Sequence, residues 1–233
     1  MSLPFFYSAE IEPAATQFVL NEETSKHVVQ VLRMDVGELL KLTDGKGNVF
    51  LANILNNNKK QCSLKILSCT SQEIPQKKNS IAISLVKSNT RFEWFLEKAT
   101  EIGVHQIIPM LCTRTEKQFF KTDRMKNILV SAMLQSQQSW LPILQEPTKF
   151  STLLSTNIPQ KFIAHCDDDF KEQLKDKIEN SSTERLILIG PEGDFTKEEI
   201  TAALQKNFLP VALGNTRLRT ETAGIVAATL LSM

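Results

Sequence analysis

An α/β protein, in which a small β-barrel-like module precedes a larger domain built on a mostly parallel sheet, is what this sequence predicts. Three observations carry the expectation. β-prone runs separated by hairpin-type turns fill residues 1 to about 72, a polar segment follows, and from residue 81 onward short apolar strands alternate with helical stretches. The chain has 233 residues, 42% apolar and 23% charged, which is enough to bury one large core or two smaller ones and excludes disorder as the main state.

In the first part, residues 38–43, 49–55 and 62–67 have strand length and β-prone composition. The turns between them, 44–48 and 56–60, begin with Asp44-Gly45 and are rich in Gly and Asn, which supply the positive φ of tight hairpins. One helix is predicted near residues 22–33, with Val28, Val31 and Leu32 on one face. The segment 71–80 has the composition of a linker, giving expected domains at 1–72 and 81–233 joined by 73–80.

In the second part, strands are predicted at 81–86, 106–111, 162–165, 186–189 and 209–213, and helices at 89–102, 123–138, 169–178, 197–206 and 220–231. Strand and helix in alternation mean parallel strands covered on both faces. The helix at 89–102 presents Phe92, Phe95 or Leu96, Ala99 and Ile102 as a stripe and stops at Gly103, suited to a left-handed cap. Thr196 to Glu199 reads as a capping box at the start of the next-to-last helix.

No apolar stretch approaches the roughly 20 residues of a membrane helix, and the first residues lack a basic region followed by a long apolar run, so a cytoplasmic location is expected. Cys62, Cys69, Cys112 and Cys166 lie far apart, outside metal-ligand or redox spacing, and read as reduced thiols buried as small hydrophobes. His27, His105 and His165 are equally scattered, so no metal is expected. Formal charge is +1, from 27 basic and 26 acidic side chains, which excludes an indiscriminate polyanion binder. The sum hides an asymmetry: residues 77–149 hold 11 basic and 6 acidic side chains, and local positive surface is what phosphate contact requires.

Three segments stand where chemistry is done in α/β sheets, just beyond the carboxyl ends of strands. The first is Gly190-Pro191-Glu192-Gly193, a turn in which glycines let backbone approach a ligand; it contains neither a Gly-Lys-Ser/Thr nor a Gly-x-Gly-x-x-Gly pattern, which disfavours nucleoside triphosphates and ordinary dinucleotides. The second is Leu213-Gly214-Asn215, followed by Arg217, Arg219 and Glu221; Arg219 and Glu221 alone would read equally as a surface ion pair of little worth. The third places Lys87 and Arg91 after the first strand of the same domain, as phosphate ligands or as solvated surface cations. Two glycine-bearing loops at neighbouring strand ends make a shared pocket the better reading of the first two.

Taken in order, these segments resemble the knotted (SPOUT-class) methyltransferases of the RsmE type, which methylate N3 of a uridine in 16S ribosomal RNA. The resemblance runs through the chain: His27 to Arg33 with Gly37 and Asp44-Gly45, Glu97 to Val104 with Pro109, Gln135-Ser136 to Pro142, Ile189 to Gly193, and Leu213-Gly214 followed by Leu218 to Ala223. It implies a PUA-like N-terminal barrel for RNA, a C-terminal trefoil knot, a homodimer, 16S ribosomal RNA within the small subunit as partner, and S-adenosylmethionine as methyl donor. Carried over by motif, the cofactor contacts are His165, Leu188, Ile189, Gly190, Glu192, Gly193, Leu213, Gly214, Asn215 and Leu218. By the same resemblance Arg219 and Glu221 lie beside the methyl donor as catalytic residues, with Glu221 as base or proton route, while Arg33, Lys87 and Arg91 contact RNA.

This sequence departs from the pattern in places. Leu3-Pro4 stands where an Arg often precedes the Phe pair, Gln138 and Trp140 stand where arginines follow Gln135-Ser136, and Asp194 replaces the second Gly of Gly-Gly-Phe. A lost Arg removes a bidentate phosphate ligand that Gln does not replace. A noncatalytic RNA-binding protein of the same fold, or a knotted methyltransferase acting on another RNA, are the rival readings.

Overall fold

The computed structural model describes residues 3–117, 119, 121–166, 171–179 and 181–233. The chain forms two compact units, one of Met1–Ile74 with Met133–Leu141 and one of Pro75–Ala132 with Pro142–Met233.

The first unit is a curled five-stranded sheet. Strands β1 (Phe5–Tyr7), β2 (Gln17–Val19), β3 (Leu39–Thr43), β4 (Asn48–Asn56) and β5 (Ser63–Ser71) lie in the order β1-β3-β4-β5-β2, with β3, β4 and β5 an antiparallel meander and β1 parallel to β3. Alternation along β3 and β4 sends Leu40, Leu42, Phe50, Ala52 and Ile54 inward onto Phe6, Ile11, Val28 and Leu64. The β3–β4 turn is tied by Asp44, whose carboxylate accepts from the Lys46 and Asn48 amides and the Asn48 side chain. Gly47 takes φ 91° with the Trp140 ring against its Cα, and its amide donates to Ser139 O at 2.9 Å.

The predicted helix at 22–33 is shorter and differently wound. Helix α1 (Glu22–Lys26), capped by Asn21, passes into a π-helical turn at His27–Val31. The wider turn rotates the following residues away from the expected face, so Val28 stays buried while Val31 is 66% and Leu32 42% exposed.

The second unit holds an eight-strand parallel sheet with β6 (Lys78–Ser84), β7 (Gln106–Leu111), β8 (Ile143–Leu144), β9 (Thr148–Lys149), β10 (Gln160–Ala164), β11 (Glu172–Gln173), β12 (Glu184–Ile189) and β13 (Leu209–Ala212). The order is β11-β13-β10-β12-β6-β7-β8, with β9 also paired to β7. Its helices are α2 (Asn89–Ile102), α3 (Thr122–Gln135), α4 (Phe150–Leu153), α5 (Leu174–Lys177), α6 (Lys197–Gln205) and α7 (Thr220–Ser232). Gly103 ends α2 at φ 91°, and the capping box at Thr196 and Glu199 starts α6.

Several boundaries move. The expected linker yields residues 78–80 to β6, because the polar side chains there are satisfied inside the fold: Asn79 Nδ2 donates to Leu231 O and Ser80 Oγ to Gln106 Oε1. The helix expected at 169–178 shrinks to α5, since Glu172 and Gln173 pair with Val211 and Ala212 as β11; residues 167–170 lie outside the described set. Ile102 is only half-buried, and Thr100, bonded to Leu96 O, completes the buried face of α2. Of the cysteines, Cys62 and Cys112 are buried as expected, but Cys69 is half-buried and Cys166 exposed.

Helix α7 lies against α2, β6 and β12. Gly224 makes that approach possible: a Cβ there would stand 2.6 Å from Phe95 Cε2 and 2.9 Å from Ile83 Cδ1, both on fully buried side chains. Gly224→Ala should therefore lower the unfolding free energy by about 1–3 kcal/mol, the usual cost of overpacking, despite the better helix propensity of Ala. Urea unfolding followed by circular dichroism checks this, and an unchanged midpoint would show that the contact yields without strain.

Candidate active site

The carboxyl ends of β10, β12 and β13 are neighbours in the sheet, and the loops leaving them meet. Two adjoining cavities of about 300 and 360 Å³ lie between these loops. They share Ala164, Cys166, Arg217, Leu218 and Ala223 as walls.

The turn after β12 is held from several sides. Thr220 Oγ1, at the start of α7, donates to Gly190 O at 3.0 Å. Arg114, in the loop after β7, donates through Nη1 to Gly193 O at 2.6 Å and to Phe195 O at 3.3 Å. Glu199, 8% exposed, accepts from the amide and hydroxyl of Thr113 and from the Thr196 amide, joining the β7 loop to the α6 cap. Asp194 takes φ 62°, and its carboxylate accepts from the Phe195 and Cys166 amides. Glu192 Oε1 accepts from the Lys87 amide at 3.3 Å. A turn fixed this way presents backbone and small side chains in one arrangement, as a ligand-reading surface requires.

Most of the sequence-derived cofactor residues come together here. His165, Leu213, Gly214 and Asn215 line the first cavity, Ile189, Gly190 and Glu192 the second, and Leu218 both. Gly214 stands at φ 132°, a conformation that L side chains rarely adopt, with no atom near the place of a Cβ. Two residues fall outside: Leu188 points into the core with Ile163 and Leu186, since its neighbours along β12 alternate about the sheet, and Gly193 faces the Arg114 side chain.

Arg219 is exposed on the wall of the second cavity, and it is not the partner of Glu221. Glu221 lies in the first turn of α7, 6% exposed, with Oε1 3.6 Å from Arg91 Nε and Oε2 buried without a hydrogen-bond partner. Lys87 pairs instead with Glu116 at 2.9 Å, and that carboxylate holds the Lys87 ammonium above its usual pKa. Arg33 belongs to the first unit, exposed at φ 55°. Cys166, Lys171, Thr216, Arg217 and Ala223 also line the cavities and were not singled out from sequence as site residues. Lys171 reaches the wall through its Nζ bond to His165 O, a contact made across the loop. Among the described residues there is no cluster of three or more His, Cys, Asp or Glu placed to hold a metal.

Residues 72–232 match the RNA methyltransferase domain family and residues 20–67 the RNA methyltransferase PUA domain, so the chain belongs to the RNA methyltransferases. Its relatives carry a more particular name. It is 30% identical, over 86% of this chain and 68% of the relative, to ribosomal RNA small subunit methyltransferase E of Synechocystis sp.. Among solved structures it is similar to a probable rRNA-methyltransferase from Porphyromonas gingivalis, at 36% identity, TM-score 0.90 and coverage of 97% and 95%. It is also similar to ribosomal RNA small subunit methyltransferase E from Neisseria gonorrhoeae bound to S-adenosyl methionine, at 29% identity, TM-score 0.84 and coverage of 97% and 95%.

Thiol chemistry reads the site directly. Burial, with Glu199 nearby, pushes the Cys112 thiol up to about 12, and burial also raises Cys62, so both stay protonated and shielded at pH 8. Iodoacetamide followed by peptide mass spectrometry should label Cys166 first and leave Cys62 and Cys112 unmodified until the protein unfolds; early labelling of Cys112 would contradict this packing.

Proposed function

We propose that this protein is an S-adenosylmethionine-dependent methyltransferase acting on N3 of a uridine in 16S ribosomal RNA of the small subunit. The observation that carries the reading is the pair of adjoining cavities at the carboxyl ends of β10, β12 and β13, lined by the two glycine turns. The donor set fits the cofactor. Leu213, Leu218, Val211, Ala164 and Ala223 give apolar walls, the loops give backbone polar groups, and each volume falls within the range of small-molecule pockets. His165, Ile189, Gly190, Glu192, Leu213, Gly214, Asn215 and Leu218 would hold it, with Leu188 and Gly193 acting through the backbone of the same strand and turn. When bound, it supplies an electrophilic methyl group on a sulfonium.

The residues of the chain do the rest. Uridine N3 is hidden in a base pair, so the target is unpaired or flipped, at a cost of a few kcal/mol. N3 loses a proton in the reaction. Glu221 accepts it or passes it on, and its buried Oε2 lacks a partner that would compete for that role. Arg219, exposed on the cavity wall, steadies the anionic charge that develops on the uracil. Lys87, Arg91 and Arg33 hold the RNA backbone, and much of the rate enhancement is positioning.

Three further features belong to this reading. The chain after β13 crosses two strands to lay α7 against β6, which supports a trefoil knot. Ile225, Val226 and Leu230 on α7 are only half-buried, which supports a homodimer. The chain has no helix, among the described residues, long enough to cross a membrane, and a cytoplasmic ribosomal substrate suits it.

The test is incubation with labelled S-adenosylmethionine and small subunits lacking the modification, then mapping of the label. Label at a uridine N3 of 16S RNA is expected; label on transfer RNA alone, or none, would overturn the reading. Glu221→Gln should abolish transfer while cofactor affinity stays within a few fold, and full turnover in that variant would remove Glu221 from the mechanism.

A further inference from the structure

Asp194 occupies the position where the family pattern has the second Gly of Gly-Gly-Phe, and its backbone keeps the left-handed conformation that glycine would take there, at φ 62°. Asp tolerates that region better than most residues. What the substitution adds is a carboxylate. Oδ1 accepts from the adjacent Phe195 amide at 2.9 Å, a local bond that fixes the rotamer, and Oδ2 accepts from the Cys166 amide at 2.8 Å, 28 residues away. Cys166 follows β10, Asp194 lies in the turn after β12, and both line the second cavity. Hydrogen bonds from amides to an ionised acceptor are short and strong, and here one of them ties Cys166, just past β10, to the turn after β12, two lining residues of one cavity.

We propose that Asp194 is a positioning residue that latches Cys166, just past β10, to the glycine turn and thereby sets affinity for the methyl donor. This rests on the cofactor reading above. The latch acts from inside the cavity rim, whereas Arg114 braces the same turn through Gly193 O and Phe195 O. Loss of Asp194 therefore frees the β10 side of the cavity while leaving the turn itself braced.

Asp194→Gly restores the family residue and keeps the backbone conformation, so it folds; Asp194→Asn keeps the conformation and one acceptor oxygen. Calorimetric titration with S-adenosylmethionine should give a dissociation constant raised about tenfold in Asp194→Gly, the scale of a charge-assisted hydrogen bond, and a smaller rise in Asp194→Asn. In turnover assays the loss should fall on KM for the cofactor rather than on kcat. Hydrogen exchange without cofactor should show lost protection confined to the Cys166 amide. If the wild-type chain binds S-adenosylmethionine and Asp194→Gly binds it within twofold, or if protection falls over the whole sheet, the latch is wrong. If the wild-type chain does not bind S-adenosylmethionine, the cofactor reading itself fails and takes the role of Asp194 with it.

Discussion

The site depends on how closely α7 can approach β6. In the sheet two strands, β10 and β12, separate β13 from β6, yet α7 follows β13 and packs on β6, β12 and α2. Gly224 removes the side chain that would meet Phe95 and Ile83. The connection of residues 213–219 must therefore pass over the carboxyl ends of β10 and β12, where the glycine turn already lies. Leu218 becomes a wall of both cavities and Thr220 reaches the Gly190 carbonyl as consequences of that path. The other end of α7 is fixed too. Asn79 Nδ2 and Arg185 Nη1 both donate to Leu231 O, placing a buried guanidinium at the negative end of the helix dipole.

Rigidity at the glycine turn follows from ties to distant elements rather than from its own composition. Thr220 comes from α7, Arg114 from the loop after β7 and Cys166 from the loop after β10, and each bonds a different residue of the turn. Glu199 links the β7 loop to the cap of α6, so its carboxylate stabilises a helix start and a loop together. A surface that recognises a ligand through backbone groups has to be preorganised, because ordering it during binding would consume the affinity it provides.

Much of this was legible in the chain. Period-2 burial on β3 and β4, the Gly103 cap, the capping box at Thr196 and the helix at 89–102 follow local rules and were placed within a residue or so. Where tertiary pairing decides, local rules fail. Residues 78–80 look like linker because their burial is compensated by partners 26 and 152 residues away, and β11 exists only because β13 is there to pair with it. The π-helical turn at His27–Val31 breaks the 3.6-residue period that would put Val31 and Leu32 on one face with Val28. At the site, glycine turns are visible as patterns, but Cys166 and Lys171 enter it through loop contacts with no signature in sequence. The ion pair of Glu221 is hidden for the same reason: Arg219 is near in sequence, Arg91 near in space.

That pairing gives the charge asymmetry its meaning. Arg91 lies in the first turn of α2 and Glu221 in the first turn of α7, and these helices pack together, so two positive dipole ends converge. A buried carboxylate is tolerated in that field, the more so with a guanidinium 3.6 Å away. Arg91 is half-exposed and belongs to the segment that carries the basic excess. It is thus available to an external phosphate in a way the carboxylate is not. The packing of α2 on α7 thus sets both members of the pair, the cation at the rim and the carboxylate beneath it.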